Sequence, residues 1–342
     1  MSVIILNFKI MNKSYLYIAG LFILSGCVEK FNLELETVVP RLVVEGLVEN
    51  NNGPHFIRLI NSKVGTHVFE SSTYSDSLAF EKGAIVIISD DSGQTEILQE
   101  VPANINEYSY HPILEKYVKF SNSNEEDIDE VIEYPIQYHS GGFYKTSKFI
   151  GVPGRTYFLK IITKSGEIYR ASDYMAPVPV IEKIEFQKEI SSKDGQEFYY
   201  PTISFYDPQE SVLNNYLFQL QKEETSRTRE AGDFWEFSII SDEHLDSHVS
   251  NFRIDQGAST RGISGFFWNT SPYQLQYIKM SSLSNQTYDF YKGVLAQFEQ
   301  DGGAYKPTPS SPKSNISNGG LGLFRASASV EWEGTLAEEL GF

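Results

Sequence analysis

From Leu42 onward, apolar and polar residues alternate with a period of two, the spacing that sends successive side chains to opposite faces of a strand. Leu42-Val43-Val44-Glu45-Gly46-Leu47-Val48 reads as a strand. The turn-rich Glu49-Asn50-Asn51-Asn52-Gly53-Pro54 then leads to Phe56-Ile57-Arg58-Leu59-Ile60, its hairpin partner. Ala84-Ile85-Val86-Ile87-Ile88 is a β-branched run that stops at Asp90-Asp91-Ser92-Gly93, where Asp and Gly tolerate the positive φ of a tight turn. Tyr157 to Ile162 passes through Lys164-Ser165-Gly166 into Ile168-Tyr169-Arg170-Ala171, a second hairpin. Tyr157 follows Gly154 at the head of a late strand, the position of a tyrosine corner, whose role is packing.

Two prolines in Ala176-Pro177-Val178-Pro179-Val180 fix φ and remove ladder donors, so the first domain is expected to end there. Strand patterns resume at Ile184-Glu185-Phe186, Thr202-Ile203-Ser204-Phe205 and Asn215-Tyr216-Leu217-Phe218-Gln219-Leu220, with an Asp207-Pro208 turn between the last two. One segment has helical period. Tyr288, Tyr291, Val294, Leu295 and Phe298 fall on one face of a helix over 284–299, with Ser284 as N-cap and Gly302-Gly303 as its stop. A Pro/Ser loop from Lys306 to Ser314 follows, then turn glycines at 319–322 and a last strand near Ser329-Val330-Glu331-Trp332. The pattern predicts a mainly β protein: two antiparallel β-sandwich domains of immunoglobulin or fibronectin type, the second with one amphipathic helix. The expected divisions are a signal at 1–26, a tether at 27–40, a first domain at 41–178 and a second at 179–342.

The amino terminus follows neither period. Lys9 and Lys13 are its charges, and an apolar run extends from Tyr15 to Leu24, broken by Gly20. Ten residues cannot cross roughly 30 Å of hydrocarbon but fit the apolar region of a secretory signal. Met11 before Asn12 and Lys13 makes a more ordinary signal start than Met1. The run ends Leu24-Ser25-Gly26-Cys27, which resembles a bacterial lipobox, and the chain's single cysteine stands where acylation needs it. Cys27 is therefore the expected lipid attachment residue. Several acyl chains would make a firm anchor, each buried CH₂ contributing about 0.8 kcal/mol.

Composition narrows the functions. Of 342 residues, 45 are acidic and 28 basic, a formal charge of −17. That charge opposes binding to nucleic acid, which needs clustered Lys and Arg, and adsorption to an anionic membrane by charge alone. One cysteine excludes an internal disulfide and Cys-based zinc or iron–sulfur sites.

An ordered set of residues carries a family resemblance. It comprises the lipobox cysteine, Leu42-Val43-Val44-Glu45-Gly46, the Ala84–Ile88 strand with its Asp-Asp-Ser-Gly turn, and Gly151, Gly154, Tyr157, Leu159 and Ile161. The proline joint, Asp207-Pro208, Asn215-Tyr216, Asn315-Ile316 and Gly319-Gly320-Leu321-Gly322-Leu323-Phe324 complete it. The set resembles a family of Bacteroidota outer-membrane lipoproteins known as domain of unknown function 4249. The resemblance implies a lipid-anchored accessory at the outer membrane or cell surface, partnering a TonB-dependent receptor in nutrient capture and import. It carries over no catalytic residue and no cofactor. The alternative is a surface adhesive or structural lipoprotein without a transport role. Two departures are a long polar segment from Asn104 to Ser140 and a thin acidic signal after Cys27, where Glu29 and Glu34 flank Lys30.

Candidate chemistry is sparse. His244 and His248 have the spacing that places two imidazoles on one helical face, with Asp242, Glu243 and Asp246 nearby, but a third ligand at a defined spacing is missing. A solvated acidic turn is the simpler reading, and no metal is expected. Glu125-Glu126-Asp127-Ile128-Asp129-Glu130 lacks the glycine that a calcium loop uses for its sharp turn, so it reads as a solvated loop. Around it, Tyr108, Tyr110, Tyr117, Phe120, Tyr134 and Tyr138 either stack on a ligand or partner, or cover a sheet edge. Gly262-Ile263-Ser264-Gly265 is one residue short of a nucleophile elbow, and Gly319 to Gly322 opens no helix as a dinucleotide loop would. The sequence points away from an enzyme.

Overall fold

The computed structural model describes residues 40–62, 79–101, 108–111, 116–119, 142–177, 180–190, 195, 197–207, 213–222, 237–254, 258–259, 275–299 and 311–335. Strands β1 (Leu42–Glu49), β2 (Phe56–Asn61), β3 (Ala79–Phe80), β4 (Ile85–Asp90), β5 (Thr95–Ile97) and β6 (Gln99–Glu100) come first. A short hairpin, β7 (Tyr108–His111) with β8 (Lys116–Lys119), lies within the long polar segment. Then come β9 (Phe143–Lys145), β10 (Thr156–Ile162) and β11 (Ile168–Tyr174). Beyond the proline joint stand β12 (Val180–Ile190), β13 (Glu197–Tyr206), β14 (Asn215–Lys222), β15 (Phe237–Ser241), β16 (His248–Arg253), β17 (Ala258–Ser259) and β18 (Leu275–Leu283). The helix α1 (Asn285–Glu299), β19 (Leu321–Ser327) and β20 (Ser329–Thr335) follow.

The protein is mainly β, with sandwich-type packing. A sheet in the order β19-β1-β2-β9-β6, with β3 beside β2, faces a sheet in the order β11-β10-β4-β5. Their inward side chains, among them Val44, Ile57, Leu59, Val86, Ile88, Leu159, Ile161 and Phe324, form one core. Tyr157 is the expected tyrosine corner. Its hydroxyl donates to Val152 O at 3.1 Å and accepts from Val152 N at 2.5 Å, tying strand β10 to the loop that feeds it.

The second core lies between β12-β13-β16 and the five-stranded sheet β17-β15-β14-β18-β20. Strand β14 is buried on both faces. Tyr216, Phe218 and Leu220 point into that core, while Leu217 points the other way, against Leu295, Tyr288, Tyr291 and Val294 of the helix. This double burial explains why β14 reads as a continuous apolar run. Ser284 caps the helix as expected, its Oγ accepting the Thr287 N–H at 3.1 Å.

Two features depart from the expected plan. The 319–324 stretch contributes more than turn glycines, because β19 runs parallel to β1 with seven residues in register, Val43 opposite Leu321 through Glu49 opposite Ser327. The chain then switches sheets at Ala328, and β20 pairs antiparallel with β18. One C-terminal extended run therefore belongs to both sandwiches. A parallel partner comes from a distant part of the chain, and local pattern carries no trace of it.

Candidate functional site

The strand that switches sheets brings together a set of buried polar side chains. Glu49 ends β1, and Lys279 sits in β18 between Ile278 and Met280. Their side chains are 2 % and 0 % exposed, and Nζ lies 2.6 Å from Oε1. Glu49 also accepts hydrogen bonds from Ser329 Oγ at 2.9 Å and Asn51 Nδ2 at 3.1 Å. Burial alone would raise the Glu49 pKa, but the Lys279 ammonium reverses that and holds the carboxylate below its ordinary value. His55, buried beside this pair with Nδ1 3.5 Å from Glu49 N, is depressed by burial to about 4 and stays neutral.

A second group surrounds Asp173 at the end of β11. Its carboxylate accepts from Ser284 Oγ at 2.5 Å, Thr287 Oγ1 at 3.0 Å and Ala326 N at 2.8 Å. Burial nonetheless dominates and pushes its pKa up to about 6. Between the two groups, Ser282 Oγ donates to Ala176 O at 2.5 Å and accepts from Ala328 N at 3.1 Å, and Ser327 Oγ donates to Ser282 O. Arg325 Nη1 donates to the Tyr291 hydroxyl of the helix at 2.6 Å. These bonds link β1 and β11 of the first sandwich to β18, the helix and the β19–β20 run. Glu49, Lys279, Asp173, Ser282, Arg325 and Ser327 are buried, with Asn51, Ser284, Tyr291 and Ser329 half-buried around them, and the arrangement ties one sandwich to the other. Among the described residues, no three His, Cys, Asp or Glu side chains come close enough to hold a metal ion.

Of these residues the sequence singles out Ser284, as helix cap, and Tyr291, on the helix's apolar face, and the candidate ligands and motifs lie elsewhere. His244 is in the turn before β16, and His248 opens that strand, so their spacing of four spans no helical turn. His248 stacks on Tyr206 at 4.4 Å between ring centroids, with Nε2 2.8 Å from Glu182 Oε2 on the exposed side of the second sandwich. Gly319 takes φ +71° in a turn, whereas Gly322 lies inside β19 at φ +89°, where a Cβ would come 2.1 Å from Val44 O. Cys27, the Glu125–Glu130 run, Phe120, Tyr134, Tyr138 and Gly262–Gly265 lie outside the described residues. Tyr108, Tyr110 and Tyr117 belong to the β7–β8 hairpin, where Tyr110 is opposite Tyr117.

Among the described residues, no helix is long and apolar enough to cross a membrane. No curated protein matches the sequence significantly. A family model, the domain of unknown function DUF4249, matches residues 28–332, starting at the residue after Cys27 and spanning both sandwiches. The chain belongs to the DUF4249 family.

Proposed function

We propose that this protein is a non-catalytic lipoprotein of the outer membrane, anchored through Cys27, that works beside a TonB-dependent receptor in nutrient capture and import. The observation that carries the reading is positional. The sole cysteine ends an apolar signal-like run, and the family match begins one residue later. The proposed mechanism is physical: a tether raises the effective concentration of a binding surface beside a membrane pore.

The test has two arms. Wild type should take up labelled fatty acid and sediment with outer membranes, and Cys27→Ala should do neither. Deleting the gene should then slow growth on the nutrient carried by a neighbouring TonB-dependent receptor. An unacylated Cys27 would overturn the anchor. Unchanged growth on every cargo of that receptor, with the anchor intact, would leave the adhesive role.

A further inference from the structure

The outer face of the β11-β10-β4-β5 sheet is built unlike a solvated surface. Alternation along the four strands turns Ile85, Ile87, Ile97, Phe158, Ile162, Ile168 and Tyr174 outward, with serines and threonines between them. Ile97 is 67 % exposed, Ile85 49 % and Phe158 43 %. Within the four strands the charged side chains on this face are Lys160 and Arg170, and the acid at its rim is Asp91, in the turn beyond β4, whose Oδ2 accepts from Thr156 N at 3.0 Å. The second sandwich is finished differently. Its β12 surface carries ion pairs between Lys183 and Glu185, Lys188 and Glu197, and Arg253 and Glu189, with a hydrogen-bond contact between His248 and Glu182.

Lys160 and Arg170 are directly opposite each other across the β10–β11 ladder. Like charges in that position repel, and neither has an ion-pair partner among the described residues. We infer that this face is a docking surface for another protein, one that presents an apolar patch with carboxylates placed opposite Lys160 and Arg170. A second copy of the chain is a poor fit, because two-fold pairing of the face would bring four cations together with no acid between them. An anionic lipid surface is also a poor fit, because the whole molecule carries −17 and is repelled by it.

The face is small. Four strands about 4.8 Å apart and seven residues at about 3.3 Å each give roughly 400 Å², half of what one partner contributes to a standard interface. Contact of that size is weak between freely diffusing proteins and becomes effective when both are held in one membrane. On this point the inference rests on the anchored reading above.

The test is site-specific photocrosslinking of the full-length chain in its own cells, with a benzoyl-phenylalanine replacing Phe158 and, as control, replacing Tyr206. The expected product at position 158 is an adduct with a peptide of another protein that contains Asp or Glu, at least tenfold above the control. Lys160→Glu with Arg170→Glu should lower that yield at least tenfold while leaving the melting temperature unchanged, since both side chains point outward. An adduct to a second copy, to lipid or to another segment of the same chain would overturn the inference. So would the absence of an adduct, or a yield indifferent to the charge reversal. Failure of the anchor shows separately, as wild-type protein that leaves the membrane fraction in a salt wash without detergent.

Discussion

The Lys279 ammonium is wholly buried, 2.6 Å from Glu49 Oε1 and 3.9 Å from Glu331 Oε1. Removing one member of such a pair leaves an uncompensated charge, whereas removing both can cost little. Lys279→Met should therefore destabilise the protein by about 3–5 kcal/mol. Glu49→Leu with Lys279→Met should recover most of that loss, both measured by denaturant unfolding. Between pH 6.5 and 4.5 the pH response is set chiefly by Asp173 and His55, with opposite signs, while the lowered Glu49, Asp90 and Glu96 act at lower pH. A carboxyl raised from 3.8 to about 6 makes the folded state the better proton binder in that interval, so its contribution falls as pH rises. An imidazole lowered from 6.5 to about 4 makes the unfolded state the better binder, so its contribution falls as pH drops. Each is worth about 3 kcal/mol at 1.36 kcal/mol per unit, and between pH 6.5 and 4.5 they largely cancel. Stability of the wild type should be nearly flat over that range. Asp173→Asn should lose stability on acidification and His55→Gln should gain it, a divergence that unfolding curves at three pH values would reveal.

At the scale of elements, the parallel contact of β1 with β19 depends on Gly322. Its φ of +89° suits glycine, and any Cβ would press on Val44 O. Gly322→Ala should cost about 3 kcal/mol through strain and overpacking together, and calorimetry should show the fall in melting temperature. The hairpins β1–β2 and β10–β11, the Asp90–Gly93 turn, the tyrosine corner and the Ser284-capped helix are all legible in the sequence, since each is decided by residues a few positions apart. Asp173 carried a signal that periodicity reading passes over. It shares inward parity with Tyr169 and Ala171, so the alternation itself places a carboxylate in the core. Lys279, flanked by Ile278 and Met280, is a similar case: a charge inside an apolar strand.

At the scale of the whole molecule, β19 contributes Phe324 and Ala326 to the first core, and β20 continues into the second sandwich. A fragment ending at 178, the joint suggested by the prolines, lacks that strand. We expect residues 41–178 alone to give a poorly dispersed amide NMR spectrum, whereas residues 28–342 should give a dispersed one and unfold in a single calorimetric transition. A dispersed spectrum from the short fragment would show that the first sandwich stands without β19. The two cations of the outer sheet face, without an ion-pair partner among the described residues, belong to this scale too, because they matter only once the cross-strand register sets Lys160 opposite Arg170.

The β class, the local hairpins and turns, the helix and its cap, the signal-like run ending at Cys27 and the family are legible along the chain. Each of these depends on period, neighbouring residues or the ordered set of short motifs, and all of them are written along the chain. Long-range pairing settles that residues 321–327 lie parallel to 43–49, that Glu49 meets Lys279 across 230 positions, and that Lys160 stands opposite Arg170 on one sheet face. Those outcomes depend on which distant strands become neighbours. Burial then converts ordinary charged residues into paired or shifted ones, a change that no local pattern encodes.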